Sequence, residues 1–231
     1  MRKFYLFGVF GLMVLITSCS QSEEIFYSCD KTQDEWVKEN LSEIRQMTRS
    51  EWLQVDMSLS HPVYRAFTPQ QCINFWKDKL NETKKLPWTD EELAHIQRAE
   101  DFINSHLDFF HDELTPEQED ELELFFYKWQ KYSVEQLGWS ENVAIAIMAT
   151  GYKLENTKGE LVIPTATFSK GVMASRSEND SDDKNCHCRK QTDSCHAINL
   201  GHCTNTDCYE KRSCGWLGMF LCNGRCDESV I

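Results

Sequence analysis

Eight of the eleven cysteines in this 231-residue chain lie between positions 186 and 226, and this crowding constrains its fold more than any other feature. So short and polar a stretch buries too little apolar surface to hold a shape by packing alone. Cross-links between the sulfurs are the usual solution, and they require an oxidising compartment. We therefore predict an exported protein with four disulfides here, formed by Cys186, Cys188, Cys195, Cys203, Cys208, Cys214, Cys222 and Cys226. Eight cysteines permit 105 pairings, and the spacing leaves the connectivity open.

Metal binding is the alternative role for these cysteines, because His187, His196 and His202 lie among them. Cysteine and histidine together are a zinc ligand set. The paired C-x-x-C elements of structural zinc sites are missing, however, and export favours disulfides over thiolates. We expect no metal and no cofactor, and a metal-handling protein remains the minority interpretation.

The first residues resemble the signal peptide of a bacterial lipoprotein. Arg2 and Lys3 precede an apolar stretch over residues 4–16, which is shorter than the about 20 residues that a membrane-spanning helix needs. The stretch ends in Thr17-Ser18-Cys19, which resembles a lipobox. This resemblance implies a signal peptide over residues 1–19, a diacylglycerol and an acyl chain such as palmitate on Cys19, and a membrane as partner. An ordinary secretory signal is the alternative.

A short polar and acidic segment, residues 20–24, follows Cys19 directly. It resembles the tags that send some lipoproteins to the cell surface. We therefore expect an outer-membrane lipoprotein of the cell envelope that is exposed at the surface.

Cys29 and Cys72 lie alone in the first half of the chain. Once Cys19 is assigned to lipid, the cysteine count is even, and we predict that these two form a disulfide. Such a bridge would contribute about 4 kcal/mol in the chain-entropy model. Two buried thiols are the alternative.

Residues 20–164 are predicted to form a mainly α domain, a bundle of five or six helices. Hydroxyl residues that cap helices precede each run of apolar residues at helical spacing. These predicted caps are Thr32, Ser50, Thr68, Thr89, Thr115 and Ser140. Weak alternation over residues 152–163, around a turn at residues 156–159, predicts a β-hairpin.

A change of composition after Pro164 predicts a domain boundary. Residues 175–185 contain no apolar side chain, so they cannot offset the entropy of becoming ordered. We predict a flexible linker over residues 165–184, cleavable at Arg176 or Lys184, before a disulfide-rich module over residues 185–231. A linker that is never cut is the equal alternative.

Charge and apolar residues indicate how the module could act. The net charge of the whole chain is −13, which argues against a nucleic-acid partner. Residues 185–226 hold five basic and three acidic side chains, a local charge of +2. Between Cys214 and Cys222 we predict a finger that contacts a target-cell envelope or receptor, or else the module's own core. Its side chains are Trp216, Leu217, Met219, Phe220 and Leu221.

The C-x-C opening at Cys186 and Cys188, followed by Cys214-Gly215-Trp216 and Cys222-Asn223-Gly224, resembles the eight-cysteine pattern of the fulvocin C family of bacteriocins. The last pair, Cys222 and Cys226, is spaced more widely than in that pattern. The resemblance covers residues 185–226 and implies a lipoprotein that carries or releases an antibacterial peptide acting on the envelope of competing bacteria. The alternative is a non-toxic surface lipoprotein whose module binds a glycan or a protein.

No catalytic pattern emerges from the sequence, and we expect that the chain is not an enzyme. It has no glycine-rich phosphate loop, no H-E-x-x-H and no G-x-S-x-G motif. His106 and His111 are five residues apart, whereas a helical metal pair needs a spacing of four.

Overall fold

The computed structural model describes residues 25–28, 30–111, 114–163, 185–186, 202–205, 212–222 and 224–227. Within these ranges the chain is mainly α, as predicted, and it forms eight α-helices, more than the predicted five or six. They are α1 (Lys31–Glu39), α2 (Leu41–Ile44), α3 (Arg49–Trp52), α4 (Met57–Arg65), α5 (Pro69–Thr83), α6 (Asp90–Ser105), α7 (Pro116–Glu135) and α8 (Glu141–Met148). A 3-10 turn, Leu107–Phe110, lies between α6 and α7.

The three long helices begin where their sequences indicate. Thr68, Thr89 and Thr115 cap α5, α6 and α7 as predicted, and each forms a reciprocal capping box. Each box satisfies backbone N–H groups that have no partner inside the helix.

The starts of the short helices differ from the prediction by about a turn or less. The cap of α3 is Thr48 rather than Ser50, and the cap of α1 is Asp30 rather than Thr32. Ser140 precedes α8, but its side chain makes no capping hydrogen bond. In the first two cases a nearby polar side chain reaches the same free N–H groups, so local competition decides the cap.

Helix α4 has no counterpart in the predicted set. Pro62 lies inside it, and a proline within a helix normally argues against one. Asp56 caps the helix and accepts a hydrogen bond from the Ser58 backbone N–H at 2.9 Å. Pro62 is the sixth residue of a nine-residue helix, so only one turn follows it.

Buried side chains from all eight α-helices form one core. Helices α5 to α7 each bury one face, as their apolar spacing predicts, whereas residues 143–148 of α8 are buried on all sides. Most positions predicted on the apolar faces of the long helices are buried: Ile73, Trp76, Leu80, Ile96, Ala99, Ile103, Leu122, Phe126 and Trp129. Cys72, Leu93, Phe125 and Leu137 are half-buried. Leu107 is exposed, because α6 ends at Ser105 and Leu107 lies in the 3-10 turn that follows. Among the described helices, none is both long enough and apolar enough to cross a membrane.

Three small antiparallel sheets complete the described structure. The predicted hairpin is confirmed: β1 (Lys153–Leu154) pairs with β2 (Leu161–Val162), and Gly159 in its turn has a φ of +87°. Near the end of the chain, β3 (Asn185–Cys186) and β4 (His202–Asn205) both pair with β7 (Gly224–Asp227), and β5 (Arg212–Cys214) pairs with β6 (Phe220–Leu221). The register places Cys203 opposite Cys226.

Candidate functional site

Residues 212–222 form a closed loop that packs on the helices, and we call this segment the docked loop. It consists of β5, a 3-10 turn at Trp216–Gly218 and β6, and a Cys214–Cys222 disulfide closes it. Gly215 and Gly218 have φ values of +66° and +63°, and Leu217 has a φ of +51°. Such left-handed backbone is uncommon for leucine, so the surroundings must hold the turn in place.

The apolar side chains of the docked loop belong to the same core as the helices. Trp216 and Phe220 are 5% and 7% exposed, Met219 is 2% exposed, and Leu217 is inaccessible. The ring of Trp216 stacks on Phe126 of α7 with centroids 5.8 Å apart and planes inclined by 12°. Phe220 contacts the same Phe126 ring at 5.8 Å. The loop thus fills part of the bundle's interior.

Tyr64 of α4 fixes the turn of the docked loop. Its hydroxyl donates to the Leu217 carbonyl oxygen at 3.4 Å and accepts from the Trp76 indole N–H at 2.8 Å. Burial raises the pKa of Tyr64 well above its usual value, so the group stays a neutral donor. A Cβ at Gly218 would lie 2.5 Å from the Tyr64 hydroxyl oxygen, so only glycine allows this approach.

His61, also on α4, lies against the disulfide. Its Nε2 is 3.3 Å from the Ser213 carbonyl oxygen, 3.4 Å from Cys214 Sγ and 3.7 Å from Cys222 Sγ. Burial, reinforced by the charge of Arg65, lowers the pKa of His61 to about 3, although the bond to Ser213 opposes the shift. Within the described part of the chain, Nδ1 of His61 is buried without a hydrogen-bond partner. The ring is therefore neutral where it meets the loop.

His61, Cys214 and Cys222 offer three potential metal-ligand atoms within 4.8 Å of one another. The two sulfurs are bonded to each other, whereas zinc takes cysteine as a thiolate. The trio therefore packs the loop against α4, and it would become a ligand set only after reduction.

An ion pair ties the edge of the docked loop to α7. The Arg212 guanidinium donates to the Glu119 carboxylate, and a second N–H of Arg212 donates to the Met219 carbonyl oxygen at 2.8 Å. Charge-assisted bonds of this kind are about twice as strong as neutral ones. Arg212 thus joins the two strands of the loop to the bundle.

His95 and Lys79 are titratable groups that lie inside the bundle, away from the docked loop. His95 stacks on Trp129 with centroids 4.5 Å apart, and burial lowers its pKa to about 4. Lys79 is fully buried and donates to the Tyr152 carbonyl oxygen, and burial lowers its pKa well below the usual value. Both groups have main-chain acceptors, which is typical of buried polar residues that support packing.

The placement of Trp216, Leu217, Met219 and Phe220 differs from both expectations for these residues. They do not form an exposed finger, and they do not form a separate core for the module; they lie in the core of the helical domain. A segment this small lacks a core of its own, and the aromatic surface of α7 supplies one. Leu221 belongs to β6, and its side chain lies outside the described atoms.

Only some of the predicted disulfide cysteines lie among the residues that the structure describes. Cys214 and Cys222 are joined to each other, and the backbones of Cys186, Cys203 and Cys226 lie in strands. Cys19, Cys29, Cys188, Cys195 and Cys208 lie outside the described residues, as do the signal peptide and the linker. The Cys29–Cys72 bridge therefore stays a prediction. Neither His61 nor Tyr64 was predicted as a site residue, because α4 itself was not predicted.

Comparison of the chain with protein-family models, with curated proteins and with solved structures finds no match.

Proposed function

We propose that this chain is a cell-envelope lipoprotein whose helical domain holds a bacteriocin-like, disulfide-rich module in a docked and inactive form. One observation carries the proposal: the apolar side chains of the docked loop are buried in the helical core. Side chains enclosed in this way cannot reach the envelope of another cell. The antibacterial role of the module rests on the resemblance of residues 185–226 to the fulvocin C family.

Cleavage of the linker would not by itself release the module from the helical domain, because the docked loop is bound too tightly. Full burial of each large apolar side chain contributes about 1.5–3 kcal/mol, and the docked loop buries Trp216, Leu217, Met219 and Phe220. After cleavage between residues 165 and 184, the module would therefore remain bound as a second chain. Release requires both cleavage and undocking, which keeps the peptide inactive on the cell that makes it.

Charge complementarity supports the role of the helical domain as carrier. Residues 185–226 carry +2 and the whole chain −13, which leaves −15 on all other residues of the chain. The Arg212–Glu119 ion pair is a direct contact between these opposite charges. The released fragment, residues 185–231, has five basic and five acidic side chains. With no net charge, it would not be repelled from an anionic envelope as the intact precursor is.

The experiment separates docking from killing. A specific protease site placed in residues 176–184 of the oxidised, lipid-free protein is cut, and the products are run on a sizing column with and without urea. We expect the C-terminal fragment to elute with the helical domain in buffer and to separate only in urea. Separation in plain buffer would contradict docking by the carrier.

The oxidised fragment, residues 185–231, is then applied to a panel of related strains, alone and mixed with the helical domain. We expect inhibition by the fragment alone, protection by the helical domain, and weaker inhibition by Trp216→Ala. Thr204→Ala, a change in β4 outside the docked loop, is the control. If the fragment inhibits none of the strains, the antibacterial role is lost.

A second candidate is a surface lipoprotein that is never cut and whose module binds a glycan or a protein. The depth of docking favours it, because a loop with an inaccessible leucine is an integral part of the fold. Blotting of culture supernatant distinguishes the two functions. A free C-terminal fragment supports the carrier, and full-length protein confined to membranes supports the permanent binding protein.

A further inference from the structure

A cavity of about 280 Å³ lies where the docked loop meets the helices. Tyr64, Phe67 and Phe109 form apolar walls on the helical side, and Gly218 and Met219 line it from the loop. Small-molecule sites are typically clefts of about 300–1,000 Å³ with mostly apolar walls and a few polar groups. This cavity is near the lower limit, so its ligand would be small.

The charged side chains among the described residues of this cavity are of one sign. Arg45, Arg65 and Arg212 line it, and no Asp or Glu is present among the described lining residues. Arg212 has Glu119 as its partner, and Arg65 donates to the Tyr27 carbonyl oxygen at 3.4 Å. The described lining thus brings three guanidinium groups to one cavity. Such a concentration is notable in a chain with a net charge of −13.

Guanidinium groups are planar forks that match the two oxygens of a carboxylate. Arg65 is 9% exposed, so an anion beside it would be held in a medium of lower dielectric constant than water, where charge attraction is stronger. The aromatic walls would cover an apolar body. From the lining and its charge we infer that this cavity is a binding site for a small organic carboxylate with an aromatic or aliphatic body.

The walls of the site come from two parts of the chain. Arg45 and Arg65 belong to the helical domain, whereas Arg212 and Met219 belong to the docked loop. A ligand that needs both would bind only while the loop is docked, and by mass action it would stabilise the docked form. This consequence does not depend on what the module does after release.

The test uses the purified, oxidised, lipid-free protein and sodium phenylacetate at low salt, followed by titration calorimetry and thermal unfolding. We expect one phenylacetate per chain, an affinity that falls as salt is added, and a raised unfolding temperature. The neutral isostere phenylacetamide should not bind. Arg45→Gln should weaken phenylacetate binding by at least about fivefold.

Two charge-neutralising variants locate the site. The Arg45 side chain is exposed at the cavity rim, so Arg45→Gln leaves the packing intact. Lys158→Gln removes one positive charge from the exposed turn of the β-hairpin, outside the cavity, and should not change the affinity. Absence of phenylacetate binding, or an equal effect of the two variants, would overturn the proposal. Inorganic phosphate binding as tightly as phenylacetate would overturn the assignment of an apolar body.

Discussion

Helices α5 to α7 and the docked loop bury aromatic and aliphatic side chains in one core, and they do so by different means. Each helix satisfies its backbone internally and begins at a threonine whose capping partner is three residues away. The loop needs a disulfide, left-handed residues and an aromatic surface on α7, and its Leu217 carbonyl accepts from Tyr64, 153 positions earlier. The conformation of each helix is therefore determined by residues within it or next to it, whereas the conformation of the loop depends on the surface on which it docks.

The largest effect should come from removing the main anchor of the loop. Trp216→Ala leaves a cavity beside Phe126 and Trp129, and such truncations in a core cost about 3–5 kcal/mol. Urea unfolding followed by far-UV circular dichroism, which reports on the helices, should show this loss. The bundle should therefore lose stability although no helical residue is changed.

Tyr127→Ala is the control for Trp216→Ala. Tyr127 lies on α7 close to the docking surface in sequence, but it is 62% exposed, so its loss should change stability by less than about 0.5 kcal/mol. If the two variants unfold alike, the loop is not part of the helical core and the comparison between the two regions fails.

The next largest loss of stability is expected from replacing one of two glycines that have the same left-handed backbone conformation. Gly138, which ends the turn after α7, and Gly218 have φ values of +68° and +63°. A Cβ at Gly138 meets nothing within 4 Å, whereas one at Gly218 overlaps the Tyr64 ring and hydroxyl. We expect Gly138→Ala to cost about 1 kcal/mol from backbone strain and Gly218→Ala about 2–4 kcal/mol from strain and overlap together.

Urea unfolding measures how much stability each glycine variant loses. The extra loss in Gly218→Ala is the cost of the overlap between the new Cβ and Tyr64. The difference between the two losses removes the conformational term that the variants share. Equal losses in the two glycine variants would show that Tyr64 and the turn of the docked loop do not press on each other.

The contrast between the two regions also decides what the sequence could predict. The capping boxes at Thr68, Thr89 and Thr115 and the one-sided apolar spacing are local signals, so the long helices and their buried faces were predictable. Helix α4 was not predicted, because Pro62 lies inside it and proline normally argues against a helix. His61 and Tyr64 lie on α4, so their roles were not predicted either. The docking of Trp216 on Phe126 joins positions 90 apart, and no local periodicity encodes such a contact.

A smaller effect is the loss of stability at low pH, to which one histidine at the docked loop and one in the bundle both contribute. Folding lowers the pKa of His61 to about 3 and that of His95 to about 4, below the ordinary 6.5. Below pH 6.5 the unfolded chain binds a proton that the folded chain does not, so stability falls as the pH drops from 6.5 towards these values. At pH 5 each histidine should contribute about 2 kcal/mol to this loss.

His61→Gln and His95→Gln test the pH effect. Each should reduce by about 2 kcal/mol the difference between the unfolding free energies at pH 7 and pH 5, and the double variant should remove both contributions. If only His95→Gln flattens the dependence, His61 is accessible to water, and the docked loop does not seal it.

The smallest effect belongs to the helices themselves, where two predicted caps behave differently. Thr115 accepts from the Gln118 backbone N–H, and Gln118 accepts from the Thr115 backbone N–H in return, whereas the Ser140 side chain makes no capping bond to α8. Thr115→Ala should cost about 1 kcal/mol in urea unfolding, and Ser140→Ala only a few tenths. Helix α8 is apolar on all sides and buried, so it depends on packing rather than on its cap. An equal loss in the two variants would show that α8 relies on local signals after all, and α8 would then resemble the long helices rather than the docked loop.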